Sequence, residues 1–208
     1  MPILPAPIEA YLRRVAPPGD PVTLEMERLA AERRFPIVGP LVGRLLFLLA
    51  RLVPARAVFE CGSGFGYSAL WFARGMPDGG RVVLTDTSEE NCAAAQEFLG
   101  RAGLLDRADI RHGDALRILG DEAGPFDIIF CDVDKRDYPR VHPLLEGRLR
   151  RGGLLVCDNM LWFGKVAGPH RDEDTRGVRE LTRLLYQDPS LHTTILPLRD
   201  GVGVSLRL

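Results

Sequence analysis

Two kinds of apolar pattern alternate along most of the chain. Short runs rich in β-branched residues predict five strands, at residues 56–61, 81–86, 108–113, 126–132 and 152–158. Apolar residues at helical spacing fill the intervals, most clearly at 88–102 and in a later segment with Val178, Leu181, Leu184 and Leu185 on one face. Strands that alternate with helices predict an α/β fold with a parallel sheet.

The two ends of the chain depart from this alternation. Asp20-Pro21 is typical of a helix cap followed by proline, and Pro40 predicts the start of a strongly apolar helix that runs to about Val53. Near the other end, two extended runs flank residues 199–201 and predict an antiparallel hairpin. We expect a single domain over residues 1–208, with a helical N-terminal segment at 1–53 and a Rossmann-like core at 54–208.

Composition and charge narrow the class of protein. The 208 residues are 46% hydrophobic, and 28 acidic residues against 27 basic ones leave a net charge of -1. This balance lacks the basic surface that nucleic acids or anionic membranes require, so we expect a small-molecule partner, no nucleic acid and no membrane. The four cysteines have no CxxC spacing, which favours buried, reduced thiols. The first residues do not follow the order of a signal peptide, so we expect a cytoplasmic protein.

Carboxylates mark the ends of the predicted strands. Four runs end in or next to an acid, and a fifth acid follows the remaining run after Gly113; these acids are Glu60, Asp86, Asp114, Asp132 and Asp158. Ligands of parallel sheets bind at the carboxyl ends of the strands, so we expect the site there. Any one of these acids can instead form a turn or cap a helix, but five on one edge favour a shared function.

A glycine-rich loop at residues 62–66 follows the first strand and permits close approach of a ligand to the backbone. Asp86 ends the second strand, where a carboxylate accepts hydrogen bonds from ribose hydroxyls. Both NAD-binding enzymes and methyltransferases share these two features. A pyrophosphate disfavours a nearby anion, whereas the cationic methionine end of S-adenosylmethionine (SAM) tolerates Glu60. Glu60 therefore favours a methyltransferase.

A second group of polar residues follows the fourth and fifth strands. Asp132, Asp158 and Asn159 supply oxygen ligands of the kind that Mg²⁺ or another divalent cation prefers, although helix-capping roles remain an alternative. Lys135 is one of two lysines in a chain with 25 arginines, which favours a role as a general base over an ordinary surface position. Trp162 suits either the wall of an aromatic-substrate pocket or the core.

Six motifs occur in an order that resembles the caffeoyl-CoA and catechol O-methyltransferase family: VFECGSGFGYSAL, RVVLTDTSEEN, HGDALRIL, FDIIFCDVDKRDY, GGLLVCDNMLWFGKV and LPLRDGVGVSLRL. The resemblance implies a Rossmann-like, seven-stranded, mostly parallel sheet with helices on both faces and a C-terminal antiparallel hairpin. It also implies a homodimer that requires SAM and a divalent cation such as Mg²⁺.

The resemblance assigns roles by matching positions. The residues that it implies for SAM are Val38, Glu60, Gly62, Ser63, Ser68, Asp86, Asp114, Ala115 and Asp132. It implies Asp132, Asp158 and Asn159 as metal ligands and Lys135 as the base. The chain departs from the family in the segment FPIVGP, which lacks a methionine, and at Arg199, which replaces a glycine. Both departures concern the identity of the substrate more than the chemistry.

The function that these observations predict is transfer of a methyl group from SAM to a hydroxyl of a small vicinal-dihydroxy aromatic or acyl-CoA substrate, with assistance from a divalent cation. Two alternatives remain at this stage. One is a non-catalytic SAM-binding protein, and the other is methylation of a hydroxylated tRNA base, which the charge of the chain disfavours.

Overall fold

A seven-stranded sheet forms the centre of the computed structural model, which describes residues 3–208. The strands are β1 Ala57–Cys61, β2 Arg81–Asp86, β3 Ala108–His112, β4 Phe126–Cys131, β5 Leu149–Cys157, β6 Leu191–Leu196 and β7 Val202–Arg207. Their order is β3-β2-β1-β4-β5-β7-β6. The first five are parallel, and β7 pairs antiparallel with both β5 and β6. The predicted Rossmann-like sheet with a reversed hairpin is confirmed.

Helices flank the sheet and precede its first strand. They are α1 Ala6–Val15, α2 Pro21–Arg33, α3 Gly39–Leu52, α4 Tyr67–Gly75, α5 Glu89–Arg101, α6 Ala115–Asp121, the short α7 Leu145–Arg148 and α8 Glu173–Gln187. Asp20 caps α2 as predicted, because its carboxylate accepts hydrogen bonds from the backbone of Val22 at 3.0 Å and Thr23 at 3.3 Å. The helices predicted at residues 40–53 and 88–102 correspond to α3 and α5 within one residue at each end.

The start of β5 differs from the sequence prediction. The pair Gly152-Gly153 indicated a strand that begins at residue 152, but β5 begins at Leu149. Phe126 pairs with Leu149, whereas Ile128 pairs with Leu154, so β5 bulges between these positions. The glycines lie inside this bulge, and a glycine pair at a bulge resembles a strand boundary in the sequence.

Alternating strand residues build a separate core on each face of the sheet. Val58 and Phe130 point to the face covered by α3, α4 and α5, whereas Phe59 and Ile129 point to the face covered by α6 and α8. The central strands are buried on both faces, which is why neighbouring positions such as Val58 and Phe59 are both apolar. This arrangement holds the carboxyl ends of β1 and β4 in a rigid frame.

Three cysteines lie side by side across the sheet. Cys61 pairs in register with Cys131, and Cys131 pairs with Cys157. All three are buried free thiols, and Cys92 is a half-buried free thiol. Three of the four cysteines are therefore buried as expected, whereas Cys92 is not. Among residues 3–208, no helix is long and apolar enough to cross a membrane.

The strand order reverses between β1 and β4. From β1 the sheet continues through β2 and β3 in one direction, and from β4 through β5 in the other. The helices that follow β1 and β4 lie on opposite faces, so a crevice opens between the carboxyl ends of these two strands. The functional residues of a sheet with this topology are expected in that crevice.

Candidate active site

A cavity of about 620 Å³ opens at the carboxyl ends of the parallel strands. Eleven of the twelve predicted site residues line it: Val38, Gly62, Ser63, Ser68, Asp86, Asp114, Ala115, Asp132, Lys135, Asp158 and Asn159. Glu60 does not line the cavity, because it is fully buried beneath the loop that follows β1. The sequence therefore placed these residues at one site, although their individual roles stay predictions.

Backbone hydrogen bonds tie the loops after β1 and β4 to the ends of neighbouring strands. Asp132 donates from its backbone N to the carbonyl of Cys61 at 2.8 Å, and Ser63 donates to the carbonyl of Thr85 at 2.9 Å. Gly62 has φ 81°, and a Cβ at this position would lie 2.5 Å from the carbonyl oxygen of Asp132. Only glycine allows the loops after β1 and β4 to approach this closely.

Glu60 lies behind the two serines that line the cavity. Ser63 donates to one of its carboxylate oxygens at 2.9 Å, and Ser68 donates to the other. Burial raises the pKa of Glu60 to about 8, although both serine hydrogen bonds lower it, and the negative charges of Asp132 and Asp86 raise it further. A cationic ligand above Ser63 and Ser68 would favour the ionised form of this carboxylate.

Asp86 is oriented at the end of β2 by three donors. One carboxylate oxygen accepts from the backbone of Gly64 at 2.8 Å, and the other accepts from the backbone of Ser88 at 2.8 Å and the side chain of Asn91 at 3.1 Å. A carboxylate has about four acceptor positions, so it keeps capacity for a ligand hydroxyl. This geometry suits the predicted contact with a ribose.

Asp114 and Val38 form other parts of the cavity wall. Asp114 caps α6 by accepting from the backbone of Arg117 at 2.8 Å, so the capping role considered from the sequence applies to it. It also lines the cavity beside Ala115. Val38 is buried just before α3, in a segment where Phe35 and Ile37 also line the cavity.

Lys135 is buried beside Asp132. Its side-chain nitrogen donates to a carboxylate oxygen of Asp132 at 2.6 Å and to the carbonyl of Val133 at 3.1 Å. Only 8% of Lys135 is exposed, so the alternative of an ordinary surface lysine is wrong. Helix α8 packs closely against its backbone, since a Cβ on Gly177 would lie 2.0 Å from the carbonyl oxygen of Lys135.

Asp158 carries a buried oxygen with unused hydrogen-bonding capacity. The residue is 1% exposed, and among residues 3–208 its Oδ1 atom has no hydrogen-bond partner. Its Oδ2 atom lies 3.6 Å from Nη1 of Arg199. Burial raises the pKa of Asp158 to about 7, and the nearby Asp132 raises it further while Arg199 lowers it. A buried carboxylate of this kind requires a proton or a cation.

Three side chains at this end of the cavity, those of Asp132, Asp158 and Asn159, carry oxygen atoms of the type that binds a divalent cation. Within the described residues, no three His, Cys, Asp or Glu side chains form a metal-binding group. A cation would therefore need an amide oxygen besides the carboxylates of Asp132 and Asp158, and Asn159 can supply it. Asn159 donates through its amide nitrogen to Asp200 at 3.4 Å, which leaves its oxygen available as a ligand. The unpartnered oxygen of Asp158 is the observation that favours a cation here.

Asp200 is a buried residue whose role the sequence did not reveal. Its carboxylate accepts from the backbone of Phe163 at 2.5 Å as well as from Asn159, and its carbonyl accepts from the backbone of Leu161 at 2.9 Å. The turn at residues 199–201 therefore holds the loop at residues 159–163. Trp162 lies in that loop, lines the cavity and packs against the core, so both sequence interpretations apply to it.

Comparison with known proteins identifies the family. The family model described as O-methyltransferase matches residues 24–208. A catechol O-methyltransferase of Niastella koreensis is 33% identical, over 96% of each chain. The chain belongs to the O-methyltransferase family. Caffeoyl-CoA O-methyltransferase 1 of Eucalyptus globulus is 34% identical to this O-methyltransferase. The match covers 80% of this chain and 72% of the plant protein.

Solved structures agree with this assignment. The O-methyltransferase of Bacillus cereus, in complex with SAH, has a TM-score of 0.88 at 31% identity and covers 97% of each chain. An O-methyltransferase of Streptomyces achromogenes in complex with SAM also has a TM-score of 0.88, at 30% identity, with 97% of this chain and 96% of the other covered. This O-methyltransferase is therefore a SAM-dependent enzyme, and the alternative of a non-catalytic SAM-binding protein does not hold.

Proposed function

We propose that this O-methyltransferase methylates one hydroxyl of a vicinal-dihydroxy aromatic substrate with assistance from a divalent cation, most simply Mg²⁺. The observation that carries the proposal is the buried group formed by Lys135, Asp132 and Asp158. Lys135 contacts Asp132 at 2.6 Å, and Asp158 presents an oxygen without a partner among residues 3–208. This group lies in the same cavity as the glycine-rich loop.

The donor occupies the side of the cavity formed by the ends of β1, β2 and β3 in this proposal. Ser63, Ser68 and Gly62 hold the methionine end, with the charge of Glu60 behind the two serines. Asp86 accepts from the ribose. Asp114 and Ala115 contact the adenine in this proposal. Val38 contacts the donor from the other side of the cavity, and Asp132 touches both the donor and the metal.

The acceptor lies beside the ends of β4 and β5. Asp132, Asp158 and Asn159 would hold the cation, which when bound supplies positive charge that stabilises an ionised substrate oxygen. Asp200 keeps the Asn159 amide in place through its 3.4 Å contact. Trp162 and Phe163 line the same end of the cavity and provide aromatic surface for the substrate ring.

Lys135 acts as the general base. Its side-chain nitrogen lies 2.6 Å from a carboxylate oxygen of Asp132, one of the residues that would hold the cation, and a lysine serves as a base only in its neutral form. The neutral amine then takes the proton of the substrate hydroxyl. The new O–C bond forms as the C–S bond of SAM breaks, and the sulfur keeps the electron pair. Alignment of oxygen, methyl carbon and sulfur accounts for much of the acceleration.

The relatives support a small-molecule substrate. The matched proteins include a catechol O-methyltransferase and a caffeoyl-CoA O-methyltransferase. A hydroxylated tRNA base stays the alternative that the net charge of -1 disfavours. A homodimer in the cytoplasm, without nucleic-acid or membrane partners, remains part of the proposal.

A turnover assay tests the proposal. The purified enzyme would be incubated with SAM, Mg²⁺ and either catechol or caffeoyl-CoA, and mass spectrometry would detect the methyl ether. Resorcinol is the matched control, because its two hydroxyls are not adjacent and cannot both contact one cation. Methylation of the vicinal diols with little reaction of resorcinol is the expected result. Equal rates with resorcinol, or no methylation of any vicinal diol, would contradict the proposal.

A further inference from the structure

Arg199 brings a guanidinium group to the acceptor end of the cavity. About a third of its side chain is exposed, and it lines the cavity together with Asp158 and Asn159. Its nearest carboxylate atom is Oδ2 of Asp158, at 3.6 Å, which is beyond hydrogen-bond distance. A guanidinium has five N–H donors. Within residues 3–208 the side chain of Arg199 makes no hydrogen bond, so these donors are available to a ligand.

The backbone around Arg199 is strained on the same side of the cavity. Arg199 has φ 53°, in the left-handed region that favours glycine. Four of the six non-glycine residues with positive φ in the described chain line this cavity: Asn159, Trp162, Phe163 and Arg199. Such backbone conformations are energetically costly and concentrate at ligand sites. The hydrogen bonds of Asp200 hold this strained loop and turn together.

Arg199 differs from the other positively charged residues of the cavity in its hydrogen bonds to carboxylates. Lys135 is hydrogen-bonded to Asp132, and Arg140 is hydrogen-bonded to Asp137 at 3.0 Å. Arg199 is thus the cavity-lining cation that, within the described chain, has no hydrogen-bonded carboxylate. The acids Asp134, Asp137 and Asp174 also line the cavity and would repel an anion placed near them. An anionic group therefore has a favourable position beside Arg199.

Occupation of the proposed cation site would change the environment of Arg199. Asp158 is the acid that attracts the guanidinium, and it is also a proposed metal ligand. When a cation takes up its charge, the attraction between Asp158 and Arg199 weakens. The guanidinium then presents its positive charge at the wall of the acceptor site.

We propose that Arg199 recognises a carboxylate carried by the acceptor, so that the preferred substrates are aromatic acids with vicinal hydroxyls, of the dihydroxybenzoate or dihydroxycinnamate type. The planar guanidinium matches a carboxylate through two parallel hydrogen bonds. This inference rests on the proposed function, because it takes the vicinal hydroxyls to lie beside Asp132 and Asp158. It names the class of acceptor and the residue that selects it.

The test compares two ligands that differ in one group. Calorimetry would measure the affinities of a vicinal dihydroxybenzoate and of its neutral carboxamide, with SAH and Mg²⁺ present. The wild-type enzyme is expected to bind the acid about tenfold more tightly, as one charge-assisted pair provides. Arg199→Gln should reduce this preference to about one. General effects of the substitution on folding or metal binding weaken both ligands alike, so they cancel in the ratio of the two affinities.

Two further variants sharpen the test. Arg199→Lys keeps the charge but lacks the planar fork, so part of the preference should remain. Arg140→Gln removes another positive charge from the cavity wall and should leave the ratio unchanged. Equal affinities in the wild type, or an unchanged ratio in Arg199→Gln, would overturn the inference. If the wild type methylates catechol yet binds acid and amide equally, this inference alone fails; if it methylates no vicinal diol, the proposed function fails with it.

Discussion

The two ends of the cavity differ in how completely the protein satisfies its own polar groups. At the donor end, defined by residues 60–68 and Asp86, both carboxylates accept hydrogen bonds from neighbouring residues. At the acceptor end, defined by residues 158–163 and Arg199, Oδ1 of Asp158 and the indole nitrogen of Trp162 lack partners among residues 3–208. The side chain of Phe163 is exposed there as well.

This difference matches what each end has to bind. A satisfied polar network is rigid and specifies one arrangement, which suits a donor that is the same in every SAM-dependent enzyme. Unpartnered groups on a strained loop acquire their interactions only when a ligand arrives. The contrast indicates that the donor end is formed before binding, whereas the acceptor end keeps unpartnered groups that the proposed cation and the substrate would engage.

Metal removal should separate the two ends most strongly. Treatment with a chelator is expected to lower turnover by about a thousandfold, because several kcal/mol of charge stabilisation are lost. SAH binding, measured by calorimetry, should change little, since Asp132 is the one proposed donor contact that the cation site shares. Mg²⁺ should restore turnover. Full activity after chelation, with a metal analysis that finds no bound cation, would contradict the proposed role of Asp158 and Asn159.

Lys135→Arg should lower the methylation rate by roughly a hundredfold or more, because arginine keeps the positive charge but cannot serve as a base. The measurement is turnover against pH with a catechol substrate. Lys165→Arg is the matched control, as it makes the same change at the other lysine of the chain. Near-normal turnover of Lys135→Arg at neutral pH would show that Lys135 only pairs with Asp132.

Asp86→Ala should weaken the binding of SAM and SAH by about tenfold, through loss of a charge-assisted hydrogen bond to the ribose. Calorimetry with each ligand gives the dissociation constants. The variant should leave the affinity for Mg²⁺ unchanged, because Asp86 lies at the opposite end of the cavity from Asp158. Unaltered SAM binding would remove Asp86 from the donor site, and a comparable loss of Mg²⁺ affinity would argue against two separate ends.

Glu60 should make the stability of the ligand-free enzyme depend on pH. Its pKa rises from 4.5 to about 8 on folding, so the folded state binds this proton more tightly than the unfolded state. Its contribution to stability is therefore complete at low pH and is lost as the pH rises from about 4.5 to 8. Asp158, with a pKa of about 7, acts in the same direction.

Thermal unfolding of Glu60→Gln measures this smaller effect. The wild-type Tm should fall by several degrees across that pH range, and the fall should be shallower in the variant. Glu32→Gln removes a largely exposed carboxylate and is the control. The Tm of this variant should change with pH in the same way as that of the wild type. An identical slope in Glu60→Gln would show that its carboxyl does not carry the pH dependence.

Much of the fold was predictable from local patterns. The strand that ends at Asp86 was predicted with both boundaries correct, because its apolar run is bounded by polar residues. β5 was predicted three residues short, since a glycine pair inside a bulge resembles a strand boundary in the sequence. The carboxyl-end rule then placed four of the five strand-end acids at one cavity, and the family resemblance supplied other lining residues such as Val38 and Ala115.

The sequence was less informative about contacts between distant segments. Glu60 was expected to face the donor, but the hydroxyls of Ser63 and Ser68 fold over it and separate it from the cavity. Asp200 had the pattern of an ordinary turn residue, and its bonds to Asn159 and Phe163 depend on the pairing of β5 with β7. Neither arrangement has a local signature, because both are set by tertiary structure.

The loops after β1 and β4 are tied to the ends of neighbouring strands by hydrogen bonds between main-chain atoms, from Ser63 to Thr85 and from Asp132 to Cys61. Main-chain bonds of this kind survive most side-chain replacements. A lineage could therefore exchange residues 159–163 or Arg199, and so acquire a new acceptor, without disturbing the frame that holds the methyl donor. The reaction can therefore be conserved among descendants of one enzyme while their substrates change.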